Sequence, residues 1–198
     1  MNPKIEKLIK IFAKLPRVGN RAARRIVIDL LQDKNGRIEK IIDALRDANE
    51  NIHACPICGI LTDRAFDRCE YCRDMARANE MICIVRDLSD VWTLEKSGVF
   101  NGRYHILGGL LSGISGITPD DLNIKNLAQR IRDENIREVI FALPNTVEGK
   151  TTQQYIISVI GGNNLQFTEL ASGVPLGGDL DYIDDGTLSL AFGGRRTI

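Results

Sequence analysis

Cys55-Pro56-Ile57-Cys58 is followed, after ten residues, by Cys69-Glu70-Tyr71-Cys72. Two Cys-x-x-Cys pairs at short separation have the spacing of a four-thiolate zinc site. Each pair can form a tight knuckle, and the connecting segment is long enough to bring the second opposite the first. An all-cysteine shell leaves no position for a catalytic water, so the expected role is structural. Two disulfides, or a redox dithiol, are the competing readings. No secretory signal opens the chain, so a reducing, cytoplasmic compartment is expected and disulfides are disfavoured. A redox Cys-x-x-Cys stands alone beside a βαβ unit, whereas here two pairs sit together. Cys83 lies in the apolar run Met81-Ile82-Cys83-Ile84-Val85 and is expected to be a buried strand residue. His53 lies beside the pairs, but four thiolates already fill a tetrahedron. His105 reads as a core residue of a strand and Trp92 as packing on a helix.

Upstream of the cysteines the pattern is helical. Asn2-Pro3 predicts a helix start, with Asn as cap and Pro in the first turn, and Ile5, Leu8, Ile9 and Phe12 share one face. The segment Leu15-Pro16-Arg17-Val18-Gly19-Asn20 breaks it. Asn20 is expected to cap a second helix with an apolar stripe of Ala22, Ala23, Ile26, Leu30 and Leu31, closed by Asn35-Gly36. A third helix carries Ile38, Ile41, Ile42, Leu45 and Ala48. The first two helices and their breaker read as a helix-hairpin-helix, which offers backbone N–H groups and basic side chains to a DNA phosphate without reading base sequence. Gly19 is present, but Arg17 stands at the first glycine of the usual pattern, and a left-handed backbone is unfavourable there. The chain is neutral overall, yet residues 1–28 hold eight Lys and Arg against one acid, Glu6. Such a basic arm on an acidic body can engage phosphates; a solvated helix face or a plain helical hairpin is the blander reading.

Downstream, strands alternate with helices. Strands are expected at Met81–Val85, Tyr104–Leu107, Glu138–Leu143 and Phe167–Leu170. Helices are expected from a Ser89 cap to Gly98, from an Asn123 cap through Ile124, Leu127 and Ile131, and over Gln153–Ile160. This alternation implies an α/β domain with a mostly parallel sheet and functional loops at the carboxyl ends of its strands. No apolar run is long enough to cross a membrane.

The order of these parts resembles the bacterial recombination mediator family RecR. The resemblance is carried by Leu15-Pro16-Arg17-Val18-Gly19 with Ala23-Arg24-Arg25, by the four cysteines, and by Gly102-Arg103-Tyr104-His105-Ile106-Leu107-Gly108-Gly109. It extends through Leu111-Ser112-Gly113-Ile114-Ser115-Gly116-Ile117, Thr146-Val147-Glu148-Gly149 and Gly173-Val174-Pro175-Leu176-Gly177-Gly178-Asp179-Leu180. It implies a helix-hairpin-helix head over 1–53, a zinc module over 54–78, a Toprim domain over 79–170 and a Walker-B-like, oligomer-forming tail over 171–198 that contains Asp179, Asp181, Asp184 and Asp185. It further implies a non-catalytic mediator that forms rings, commonly tetramers, around DNA. With RecO, and in many bacteria RecF, the family loads RecA at gaps, which also implies association with the nucleoid. Arg21 and Arg25 match the family's basic positions, and Arg17 and Arg24 stand beside them. The rival reading is a Mg²⁺-dependent Toprim phosphotransferase or nuclease, which needs clustered acids. Many relatives have Glu where this chain has Arg86, and often a second Glu where it has Lys150. Asp87, Asp90 and Glu148 are left as a weak ion site, salt-bridge partners or a protein-docking surface. A third reading is a zinc-stabilised interaction protein that never touches DNA.

Overall fold

The computed structural model describes residues 2–33, 36–77, 80–162, 165–175 and 177–195. Asn35 and Leu176, named above, lie outside them. The chain divides into two compact units, Met1–Ile52 and His53–Ile198.

The first unit holds α1 (Pro3–Phe12), α2 (Asn20–Gln32) and α3 (Arg37–Asn51). As expected, the Asn2 side chain caps α1, accepting from the Lys4 N–H at 2.9 Å. Ile9, Ala23 and Val27 form a small core, with Ile5, Leu8, Phe12, Ala13 and Val18 packed around it. The expected stripe of α2 needs correction. Positions 23, 27 and 30 turn inward, whereas Ala22, Ile26 and Leu31 are exposed. A helix packing through one narrow seam buries residues four apart and leaves their neighbours outside. The cap is Gly19, not Asn20, because the chain is still extended at Gly19 and already helical at Asn20. Gly36 does not close α2; it is the left-handed cap of α3. Helix α3 buries no residue, and Leu45 is 65% exposed.

The second unit is built on a sheet. A two-stranded ribbon, β1 (Ile52–Ala54) and β2 (Leu61–Asp63), precedes the short α4 (Glu70–Arg73). Then come β3 (Met81–Val85), α5 (Leu88–Ser97), β4 (Arg103–Ile106), α6 (Leu127–Asp133), β5 (Glu138–Ala142), α7 (Val147–Ile160), β6 (Gln166–Glu169) and α8 (Asp185–Gly193). Strands β4-β3-β5-β6 pair in parallel in that order. The run at β3 is apolar throughout because both of its faces are covered. Ile82 and Ile84, with Val139 and Phe141 of β5, pack on Leu127 and Ile131 of α6 and Ile156 and Ile160 of α7. Cys83 and Val85, with Tyr104 and Ile106 of β4, pack on Val91 of α5 and on the four knuckle cysteines. The cysteine module therefore shares a core with the sheet.

Three helix starts differ from expectation. Helix α5 is capped by Asp87, not Ser89: the Asp87 carboxylate accepts from the Ser89 N–H (2.9 Å), and Asp90 reaches back to the Asp87 N–H (3.2 Å). This is a capping box, and two carboxylates outcompete one hydroxyl. Helix α6 starts at Leu127, because Asn123 is held in a turn by the Ile106 carbonyl (3.2 Å) and the His105 ring (2.6 Å). Helix α7 starts at Val147, six residues before the expected start, where the Thr146 hydroxyl accepts from the Gly149 N–H (3.2 Å). Trp92 is 62% exposed on α5 and is not a packing residue of this chain.

Candidate nucleic-acid interface and metal centre

In the first unit the α1–α2 turn places the basic residues. Arg17 adopts φ +63°, the left-handed conformation the sequence reading held against it. The turn keeps its hairpin geometry with an arginine where a glycine would be free of strain. The Val18 N–H bonds the Leu15 carbonyl at 3.1 Å, and the Val18 side chain packs against the small core. No side chain caps α2, so its first backbone N–H groups stay available to an anion. Arg21, Arg24 and Arg25 fall at i, i+3 and i+4 and share an exposed face, opposite the buried Ala23 and Val27. Asp29, the acid of the same helix, is engaged by Arg37 at 2.8 Å. The four arginines thus stand on one turn and one helix face, with the helix dipole adding positive character.

In the second unit the four cysteines converge as expected. Their Sγ atoms all lie within 4.8 Å of one another, every one buried. The first knuckle closes through the Gly59 N–H on the Cys55 carbonyl (2.9 Å) and the Cys55 N–H on the Ile60 carbonyl (2.7 Å). The second is the start of α4, where the Cys72 and Arg73 N–H groups bond the Cys69 carbonyl. Four buried sulfurs this close form a closed set that could hold one divalent ion, and a tetrahedral thiolate set suits zinc. His53 is on β1 and outside this group. Cys83 is a buried strand residue, as expected, its thiol pushed up to about 12 by burial.

Two acids at the carboxyl end of β3, Asp87 and Asp90, are engaged locally. Asp87 and Asp90 form the capping box, and Arg86 pairs with both, at 2.8 and 3.8 Å. Burial opposes ionisation of Asp87, yet bonds from Ser89 and Arg86 hold its carboxyl below the usual range. Glu148 lies in the first turn of α7, after the neighbouring strand β5. Lys150 pairs with Glu169 at the end of β6 at 2.5 Å. Among the described residues, the four cysteines alone bring three or more potential metal-ligand side chains within 4.8 Å; Asp87, Asp90 and Glu148 do not meet. In the tail, Asp184 caps α8 through Thr187 (2.9 and 2.7 Å), while Tyr182 and Phe192 are 89% and 70% exposed.

Two residues of consequence escaped the sequence reading. Arg130 sits on the inward face of α6, 5% exposed, within reach of the Cys72 sulfur. Its signal was a lone arginine between Leu127 and Ile131 on an apolar stripe. Gly149 has no room for a side chain: a Cβ there would lie 2.0 Å from the Pro144 carbonyl oxygen.

Comparison with known proteins is consistent across the chain. Residues 5–49 match the family model described as RecR, helix-hairpin-helix; residues 80–171 match the Toprim domain; residues 173–196 match RecR, C-terminal. Recombination protein RecR of Cereibacter sphaeroides (strain ATCC 17025) is 46% identical over 97% of this chain and 96% of its own length. That of Maricaulis maris is 45% identical over 99% and 96%, and that of Neorickettsia sennetsu 41% identical over the whole of both. No described helix is long and apolar enough to cross a membrane.

Proposed function

The chain belongs to the RecR family of recombination proteins, and from that premise we propose that it is a non-catalytic DNA clamp. In this reading several copies close a ring around DNA. With RecO-type and RecF-type partners the ring loads a RecA recombinase at single-strand gaps, in the nucleoid. The observation that carries the proposal is the basic face of α2. Arg17, Arg21, Arg24 and Arg25 are exposed together beside an uncapped helix start, opposite the unit's own core. Contacts of this kind reach phosphates and not bases, so binding is sequence-independent and steeply salt-dependent. One such face binds feebly, and a ring multiplies it.

Each four-cysteine site holds one structural zinc. Four thiolates from Cys55, Cys58, Cys69 and Cys72 would saturate it and stabilise the fold around the knuckles. The ring reading is supported by apolar surface that one chain leaves open. Among the described residues the first unit has three buried core residues and an unburied α3. The tail exposes Leu180, Tyr182, Leu190 and Phe192. Exposed apolar surfaces of this composition fit contacts between copies. Asp87, Asp90 and Glu148 fit a protein-docking surface better than a metal site, because Arg86 neutralises the first two internally.

Recombinase loading onto gapped DNA coated by single-strand-binding protein tests the function as a whole. With a RecO-type partner present, the protein is expected to accelerate filament formation, and Arg21→Ala/Arg25→Ala to abolish the effect. Absence of stimulation, together with Mg²⁺-dependent nicking of plasmid DNA that Glu148→Gln removes, would favour the phosphotransferase or nuclease reading instead.

A further inference from the structure

Strand β4 is an edge of the sheet, paired with β3 on one side only. An edge strand offers unpaired backbone groups and needs a cover. Its inner side is satisfied in the usual way, the N–H after the strand, at Leu107, reaching the Val85 carbonyl at 3.0 Å. Its outer side is met by groups from outside the sheet. The Ile106 N–H donates to the Cys58 carbonyl, inside the first knuckle, at 2.7 Å. The Tyr104 carbonyl accepts from Arg130 Nη1, also at 2.7 Å. The Ile106 carbonyl accepts from Asn123 Nδ2 at 3.2 Å. The knuckle can lie this close because residue 59 is glycine, at φ +81°; a Cβ there would stand 3.0 Å from the Ile106 carbonyl oxygen.

Arg130 joins the two halves of this cover. Its side chain is buried, and Nε pairs with Glu134 at 3.0 Å. While Nη1 holds the Tyr104 carbonyl, Nη2 lies 3.9 Å from the Cys72 sulfur, in the range of an N–H···S bond. A zinc ion with four thiolates carries a net charge of −2. Buried, that charge needs donors and a counter-charge close by. The Cys69 N–H gives one donor, to Cys55 Sγ at 3.5 Å. Among the described residues Arg130 is the cation seen within bonding distance of a ligand sulfur.

We infer that Arg130 is a positioning residue of the metal site, holding the Cys72 thiolate with one arm of its guanidinium and the edge strand with the other. Metal occupancy and closure of the β4 edge are then one cooperative event, and the zinc stabilises the whole α/β unit. The inference rests on the zinc reading of the four cysteines.

The test compares full-length wild type, Arg130→Gln and Arg130→Lys. Zinc content is measured first, then the rate of zinc release to a chromophoric chelator. The thiolate-to-metal bands of the cobalt-substituted proteins and amide exchange at residues 104–107 complete it. Outer partners of metal ligands are worth about 10- to 100-fold in metal affinity. Arg130→Gln is therefore expected to release zinc about 10- to 100-fold faster, to shift the cobalt bands and to expose the Ile106 amide. Arg130→Lys, which keeps the charge and loses the fork, falls between; should the Gln variant not fold, the Lys variant carries the comparison. In wild type, chelation alone should deprotect Ile106. Wild-type zinc release and cobalt bands in the variants, or a protected Ile106 after chelation, would overturn the inference while leaving the zinc reading intact. Wild type without bound zinc would overturn both.

Discussion

Arg17 carries an unusual load for one residue. It is held at φ +63°, where a side chain costs about 1 kcal/mol or more and glycine costs nothing. Arg17→Gly is therefore expected to raise the stability of the first unit by about 1 kcal/mol and to weaken DNA binding, read by thermal melts and by binding curves on one duplex. A variant that is destabilised, or that binds DNA as tightly as wild type, would separate the strain from a phosphate contact. At Gly149 the sign is opposite. The Pro144 carbonyl occupies the space of a Cβ, so Gly149→Ala should cost about 3 kcal/mol or more by denaturant unfolding. His105 gives a pH dependence. Burial lowers its pKa to about 4 from 6.5, and Arg130 adds to the effect, the ring donating from Nε2 to the Asn123 carbonyl and accepting at Nδ1 from the guanidinium. The unfolded chain then binds the proton that the folded one refuses. Stability from this group is complete above pH 6.5 and falls as the pH drops towards 4, by about 3 kcal/mol in all. The fall in denaturant midpoint between pH 7 and pH 5 should be smaller in His105→Gln than in wild type; an equal fall in both would assign the acid sensitivity to other groups.

At the scale of elements, the cysteine knuckles are the support of β4. Cys58→Ser should abolish metal binding and lower the melting temperature of the α/β unit; a variant without metal and with wild-type stability would contradict that. The four strands of the parallel sheet were legible to within a residue because β3 and β5 are apolar runs bounded by polar turns, and a buried parallel strand needs little else; the short, exposed β1 and β2 carry no such signal and were not read. The knuckles were legible because cysteine spacing encodes their closure directly. Helix starts were less so. Ser89 and Asn123 are good caps on local grounds, but Asp87 is better placed, and Asn123 is claimed by a strand and a histidine 18 residues or so away in sequence. Arg130 was invisible for the same reason, since its partners at Tyr104 and Cys72 are brought to it only by the fold. The seam of α2 was misplaced because Ala22, Ile26 and Leu31 are as apolar as the residues it buries.

At the scale of the whole molecule the chain leaves apolar surface exposed on α3 and in the tail. In the proposed ring the unburied α3 and the apolar tail are the surfaces that meet other copies, and the basic face of α2 is left for DNA. Removal of residues 185–198 should lower the native mass in solution; an unchanged mass would place the interface elsewhere. The central claim is that this assembly holds DNA through α2, and fluorescence anisotropy on a gapped duplex across a salt series tests it most directly. Wild type should bind in a salt-sensitive manner at concentrations that permit assembly. The Arg21→Ala/Arg25→Ala variant should lose most of that affinity and reduce the salt slope by about 2 for each subunit that contacts DNA, one per phosphate contact removed. Equal binding by both proteins, with equal salt slopes, would contradict the account.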